Sequence, residues 1–204
     1  MQLVNFNLDQ ALLEQYKAEY AETNCILLKD MLNPKILNKL MDKLDKVLFQ
    51  TKFETSEENK FGKVLFVDQH EPVVATFNFI FNDTGLFSCL EDITNCGTID
   101  NFTGRIHRSE EGENHRIDWH GDNADHRLLA ITICLGNTPY TGAAFELRER
   151  SSKKITRSFG QLNAGDALIF RIDPQLEHRL APLETGRRTV GVGWFRAPGT
   201  KIDG

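Results

Sequence analysis

Ile117-Asp118-Trp119-His120-Gly121-Asp122-Asn123 is the stretch on which the reading of this 204-residue chain turns. In an extended segment side chains alternate between faces, so Asp118 and His120 share one side and Trp119 takes the other. Asp122 falls two positions past His120, at the strand end, where a turn swings its carboxylate to the same centre. A second imidazole opens a later strand in Glu177-His178-Arg179-Leu180-Ala181-Pro182. Two neutral imidazoles and one carboxylate are the ligand set of a non-haem ferrous site. They leave coordination positions open and about one residual positive charge, which attracts an anionic chelating ligand and leaves room for dioxygen. Ten residues beyond His178, Arg188 stands in Gly186-Arg187-Arg188-Thr189-Val190-Gly191-Val192-Gly193-Trp194. Arg188, Val190, Val192 and Trp194 share one strand face and Arg187 lies on the other. Burying Arg188 without an anion is costly, so an inward Arg188 implies a carboxylate ligand gripped by its planar fork.

Around this stretch, from residue 101 onward, short strands alternate with polar turns. Strands are predicted at 102–107, 116–120, 128–135, 145–148, 155–159, 167–171, 178–180 and 189–195. Turn signals recur roughly every 8–12 residues, with Gly136-Asn137-Thr138-Pro139 and Asn163-Ala164-Gly165-Asp166 the clearest, which is the pattern of a jelly roll or sandwich. Upstream, Leu12, Leu13, Tyr16 and Tyr20 share a helical face over 8–20, with Asp9 as N-cap and Leu8 left to pack on Leu13. Residues 25–28 suit a buried strand. Asn33-Pro34 opens a second helix whose apolar face is Ile36, Leu37, Leu40, Leu44, Val47 and Leu48. The polar run 51–60 reads as a loop. Residues 63–66 and 73–81, rich in Val, Ile and Phe, read as strands. Asn82-Asp83-Thr84-Gly85 is a turn, and 86–93 a short helix. The expected architecture is mainly β with N-terminal helices: one domain over 1–204, with 1–100 as helical and strand support for a double-sheet β core at 101–197.

Composition narrows the function classes. Hydrophobic residues make up 40% of the chain and charged residues 26%, as in ordinary globular proteins. The net charge of −5 and the absence of any basic tract argue against a nucleic-acid partner. No apolar run reaches the length of a membrane span, so no membrane partner is expected. Met1-Gln2-Leu3-Val4-Asn5 lacks a basic region followed by an apolar run, and Cys25, Cys89, Cys96 and Cys134 are scattered without a CxxC pair. Both features favour a reducing cytoplasm with free thiols.

Taken in order, Trp119-His120-Gly121-Asp122, Gly165-Asp166-Ala167-Leu168-Ile169-Phe170, His178-Arg179-Leu180-Ala181-Pro182, Gly186-Arg187-Arg188 and Trp194 resemble the Fe(II)/2-oxoglutarate-dependent oxygenases, in their prolyl-4-hydroxylase-like branch. The resemblance covers about half the chain. It implies a double-stranded β-helix (jelly roll, cupin-like) core in which His120, Asp122 and His178 bind Fe(II). It further implies 2-oxoglutarate as cosubstrate, chelating the metal through its 1-carboxylate and 2-oxo group, with its far carboxylate on Arg188. O2 is then consumed, the cosubstrate leaves as succinate and carbon dioxide, and an unactivated C–H bond is hydroxylated, with ascorbate supportive in vitro. Because Asp122 is present, hydroxylation is implied over halogenation. Relatives often carry Tyr in the strands flanking the His-x-Asp motif. Here those strands read Arg105-Ile106-His107-Arg108 and Thr132-Ile133-Cys134-Leu135, so Thr132 or His107 is left to supply the cosubstrate hydrogen bond. The usual Gly-Gly before the middle strand reads Gly142-Ala143-Ala144.

Other charged groups have weaker readings. Asp118, Arg148 and Arg105 are candidates for substrate contact, Arg105 toward an anion. Glu146 and Glu149 read as surface charges. His115, Asp125 and His126 read as solvated turn residues rather than alternative ligands, and Trp119 and Trp194 as core or barrel-wall aromatics. The favoured substrate is a small molecule, such as an amino acid or a natural-product intermediate. The alternatives are a prolyl or other peptidyl residue, a non-catalytic carboxylate-binding jelly roll, which would keep Arg188 without needing the triad, and a cupin-like metal enzyme without 2-oxoglutarate.

Overall fold

Side-chain alternation along the long strands of the C-terminal half gives each of them two different faces, and the layers follow from that. The computed structural model describes residue 4 and residues 9–55, 60–113, 115–124 and 126–199, with the backbone alone for 52–55 and 60–63. The elements run α1 (Gln10–Thr23), β1 (Cys25–Leu28), α2 (Pro34–Leu44), β2 (Phe49–Thr55), β3 (Lys60–Val67), α3 (Pro72–Phe81) and α4 (Thr84–Thr94). They continue with β4 (Asn101–Glu110), β5 (Ile117–His120), β6 (Arg127–Cys134), β7 (Tyr140–Gly142), β8 (Phe145–Glu149), β9 (Ile155–Phe159), β10 (Ala167–Arg171), β11 (Leu176–Leu180) and β12 (Leu183–Arg196). The larger sheet has the order β1-β10-β6-β12-β4-β3-β2, with β7 pairing the start of β12. The smaller has the order β5-β11-β8-β9, and every pairing is antiparallel.

On the helix side of the larger sheet, Phe102, Ile106, Leu129, Ile133, Ile169 and Phe195 join the helices in one core. On the other side, Ala130, Cys134, Leu168 and Phe170 meet Phe145 and Leu147 of the smaller sheet. Residues one apart on the same strand thus serve different cores, as a period of two requires. The result is the double-stranded β-helix expected for the C-terminal half, braced on one face by helices. The three N-terminal strands β1, β2 and β3 extend its larger sheet. No single described helix is long and apolar enough to cross a membrane.

The starts of α1 and α2 are those the sequence marks, whereas α4 begins at Thr84, inside the predicted turn 82–85, with Asp83 as its cap. Asp9 accepts from the Leu12 amide at 2.8 Å, Asn33 from Lys35 with Pro34 in the first turn, and Asp83 from Leu86. The proposed packing of Leu8 lies outside the described residues. Four readings are corrected. Residues 51–55 and 60 are not loop: 49–55 and 60–67 pair as antiparallel strands. The second helix stops at Leu44, where the Asp45 amide bonds Met41 O, and Leu48 beyond it is 80% exposed. The short strand β7 was not read from its three residues.

The fourth correction is the largest: 73–81 is the helix α3 and not a strand. Its buried residues, Val73, Val74, Phe77, Ile80 and Phe81, follow helical spacing, and Phe79 is left 72% exposed. Tertiary bonding outweighs the β propensity of Val and Phe. The Gly104 amide donates to Asn78 Oδ1 at 2.7 Å and Asn78 Nδ2 donates back to Gly104 O at 3.1 Å. One turn on, Asn82 makes the same reciprocal pair with Phe102, each bond 2.9 Å. The outer edge of β4 there is paired with no strand in the sheet register, since β3 reaches only His107 and Arg108. Two side-chain amides at i and i+4 therefore satisfy a sheet edge that would otherwise bury unpaired backbone.

This docking needs a bare backbone beneath it. A Cβ on Gly191 of β12 would stand 2.4 Å from the Phe77 ring, which is itself fully buried. Gly191→Ala should therefore destabilise the fold by about 1–3 kcal/mol through overpacking. Denaturant unfolding that matches wild type would show that Phe77 has room to move.

Candidate functional site

The β11–β5 pairing sets His178 directly opposite His120, so two imidazoles distant in sequence become cross-strand neighbours with ring centroids 4.2 Å apart. Asp122 follows β5 in the turn. His120 Nε2 lies 3.8 Å from Asp122 Oδ1, and His178 Nε2 lies 3.7 Å from Asp122 Oδ2. These separations are too long for hydrogen bonds. Among the described residues, these three form a group whose ligand atoms all lie within 4.8 Å of one another. Donors that converge without bonding each other surround a point suited to a cation, and the set of two imidazoles and one carboxylate fits ferrous iron.

The surroundings prepare the donors. A backbone carbonyl only accepts, so the 2.9 Å contact between His120 Nδ1 and Asp118 O makes Nδ1 the protonated nitrogen and leaves the Nε2 lone pair for a metal. Burial, with His120 nearby, holds His178 well below the usual imidazole range, although Asp122 opposes the shift; His178 is therefore neutral and able to ligate. Phe170 and Phe145 flank the His178 ring at 4.8 and 5.9 Å. Trp194 Nε1 donates to Asp122 Oδ2 at 2.7 Å, while Arg127 sits 3.7 Å from Oδ1 and 3.9 Å from the centre of the Trp194 ring. Trp194 is thus more than a wall residue, because it fixes the carboxylate of the triad. Its place on the Arg188 face of β12 was the available signal.

A cavity of ≈ 190 Å³ opens between the two sheets beside the triad. Arg188 lines it, is only 5% exposed, and leaves its Nε without a hydrogen-bond partner. No acidic side chain among the described residues pairs with Arg188. Thr132 and His107 also line the cavity, in register with Val192 and Val190 of β12. Arg105 lines it too, exposed at its rim, with its guanidinium 5.0 Å from the Trp194 ring centre. Asp118 and Arg148 do not line it. Asp118 lies 3.7 Å from Arg116. Arg148 pairs with Glu177 at 2.7 Å and stacks 3.8 Å over Trp119, because β8 and β11 hold Arg148 opposite Glu177. Glu146, expected at the surface, pairs with Arg179.

His115 departs most from its sequence reading. It is not solvated but 2% exposed; it lines the cavity, and its Nδ1 contacts Ser109 Oγ. Burial, with the Arg188 charge nearby, pushes it down to about 4, so it is neutral at pH 7. His126 is exposed, as expected, in a left-handed conformation, and Asp125 lies outside the described residues.

Residues 104–196 match the family model described as the 2OG-Fe(II) oxygenase superfamily. Among solved structures, a 2OG-Fe(II) oxygenase-family oxidoreductase from Burkholderia pseudomallei is 13% identical, with 96% of each chain covered and a TM-score of 0.70. A prolyl-4-hydroxylase from Pseudomonas putida is 15% identical, covering 92% of this chain and 100% of that one, at 0.64. The epimerase SnoN from nogalamycin biosynthesis, in complex with Fe3+, alpha ketoglutarate and nogalamycin RO, is 13% identical, covering 96% and 93%, at 0.68. No curated protein matches by sequence.

The Trp194–Asp122 bond yields a direct test. Trp194→Phe keeps the ring but removes the N–H, so the carboxylate loses its orienting donor. Fe(II) affinity should fall about 10-fold or more. Competition against a chelator measures it, and equal affinity in the two proteins would show that Asp122 is held by other contacts.

Proposed function

We propose, from the premise that residues 104–196 form the core of a 2OG-Fe(II) oxygenase, that this enzyme hydroxylates an unactivated C–H bond of an anionic small molecule. The observation that carries the reading is the conjunction, in one cavity, of three converging donors and a buried arginine that lacks a counter-ion among the described residues. When bound through His120, Asp122 and His178, iron supplies the coupling of dioxygen reduction to oxidative decarboxylation of 2-oxoglutarate. One oxygen atom enters succinate as carbon dioxide leaves, and the other enters the substrate as hydroxyl.

The chain's own residues do the positioning. Arg188 grips the far carboxylate of the cosubstrate and so sets the direction in which its oxo-acid end reaches the triad. Phe145 and Phe170 shield the His178 side from water. Asp122 fills the carboxylate position of the triad, which supports hydroxylation over halide transfer. Charge supports the substrate class. A divalent metal with Asp122, a dianionic cosubstrate and Arg188 balance to neutrality, and Arg179 is answered by Glu146. Arg105 at the rim has no ion pair among the described residues and is the contact proposed for an anionic group on the substrate.

Purified protein with Fe(II), ascorbate and 2-oxoglutarate should release succinate slowly, and faster with members of a panel of small carboxylic acids than with neutral analogues. His178→Ala should lose iron and turnover together, whereas Arg188→Ala should keep iron and need far more 2-oxoglutarate. Absence of any succinate from iron-loaded wild type would end the oxygenase reading. Equal stimulation by neutral analogues would end the role given to Arg105.

A further inference from the structure

The same cavity holds a second buried nitrogen without a hydrogen-bond partner among the described residues. His115 Nε2, like Arg188 Nε, has no hydrogen-bond partner among the described residues, and the two do not bond each other. Their proximity follows from sheet register. Ser109 of β4 stands directly opposite Arg188 of β12, so both side chains leave the sheet on the cavity face, and Ser109 Oγ engages His115 Nδ1. All three residues are buried, at 2%, 5% and 2% exposure for Ser109, Arg188 and His115. The two groups expected to share the cosubstrate with Arg188 lie elsewhere along the strands. Thr132 is in register with Val192, four residues from Arg188, or about 13 Å of extended chain. His107 is in register with Val190, about 6.6 Å away by the same measure.

Resting on the oxygenase reading above, we infer that His115 is a second anchor for the far carboxylate of 2-oxoglutarate, completing with Arg188 a two-sided clamp that Ser109 keeps in the correct tautomer. A neutral imidazole carries one proton. With the Ser109 hydroxyl donating to Nδ1, that proton sits on Nε2 and is offered beside the guanidinium. A carboxylate held there accepts from both groups, and the two buried orphan nitrogens gain the partner they lack. The low affinity of His115 for a second proton fits this role, because a cationic imidazole beside Arg188 would be repelled. His115 therefore selects for a dicarboxylic cosubstrate by hydrogen bonding and leaves the charge pairing to Arg188.

The test is anaerobic calorimetric titration of the Fe(II)-loaded protein with 2-oxoglutarate and, separately, with 2-oxobutanoate, which keeps the chelating end and lacks the far carboxylate. His115→Leu should bind 2-oxoglutarate about 10- to 100-fold more weakly, the loss of one hydrogen bond to a charged group, and bind 2-oxobutanoate as wild type does. His115→Gln, which retains an N–H donor, should recover much of the loss. Ser109→Ala, which frees the tautomer with little change in volume, should weaken 2-oxoglutarate several-fold, and it carries the test if His115→Leu does not fold. Unchanged 2-oxoglutarate affinity in these variants, or an equal loss for both acids, overturns the clamp. A wild-type protein that retains iron and binds neither acid overturns the oxygenase reading beneath it.

Discussion

Strand β12 is the constraint on which the rest of the structure depends. It is hydrogen-bonded on both sides, to β4 and β6, at the centre of the larger sheet, and its alternation cannot slip by one residue without exchanging its faces. On the cavity face it carries Arg188, Val190, Val192 and Trp194. On the helix face it carries Gly191, Gly193 and Phe195, where Phe77 and Phe102 press against bare backbone. One strand thus fixes the buried Arg188, the tryptophan that holds the Asp122 carboxylate and the seat of the bracing helices. Chemistry and packing share a single register.

The smaller sheet supplies the other half of the site by the same means. Cross-strand pairing of β11 with β5 brings His178 to His120. Around them, among the described residues, stand imidazoles whose Nε2 atoms lie too far from the Asp122 carboxylate to bond it, and an Arg188 guanidinium paired with no acidic side chain. Buried polar groups are ordinarily paired. Three converging donors suit a cation, and the orphaned Arg188 nitrogen in the same cavity suits an anion.

Much of this was legible in the sequence because it depends on period two and on spacing. The strands from 101 onward other than β7, the grouping of His120, Asp122 and His178, and the inward face of Arg188 all follow from alternation plus residue type. What escaped depended on contacts between distant segments. The 73–81 segment has β-forming residues in quantity, and only Asn78 and Asn82 docking on the β4 edge settle it as a helix. His115 carried no periodic signal, and its contact with Ser109 beside Arg188 depends on the register of β4 with β12. The pairing of Arg148 with Glu177 depends on a strand register that no local pattern discloses. Trp194 was placed on the correct face, but its bond to Asp122 needs the turn after β5 to fold back across the sheet.

The central claim is that one cavity binds a metal and a dicarboxylate in a fixed relation. Anomalous diffraction at the iron edge, from crystals grown without oxygen in Fe(II) and 2-oxoglutarate, measures it most directly. The account predicts one strong peak between His120 Nε2, His178 Nε2 and the Asp122 carboxylate, with the far end of the dicarboxylate on Arg188. Iron located away from these three donors, or a bound dicarboxylate that leaves the Arg188 guanidinium unpaired, would contradict it.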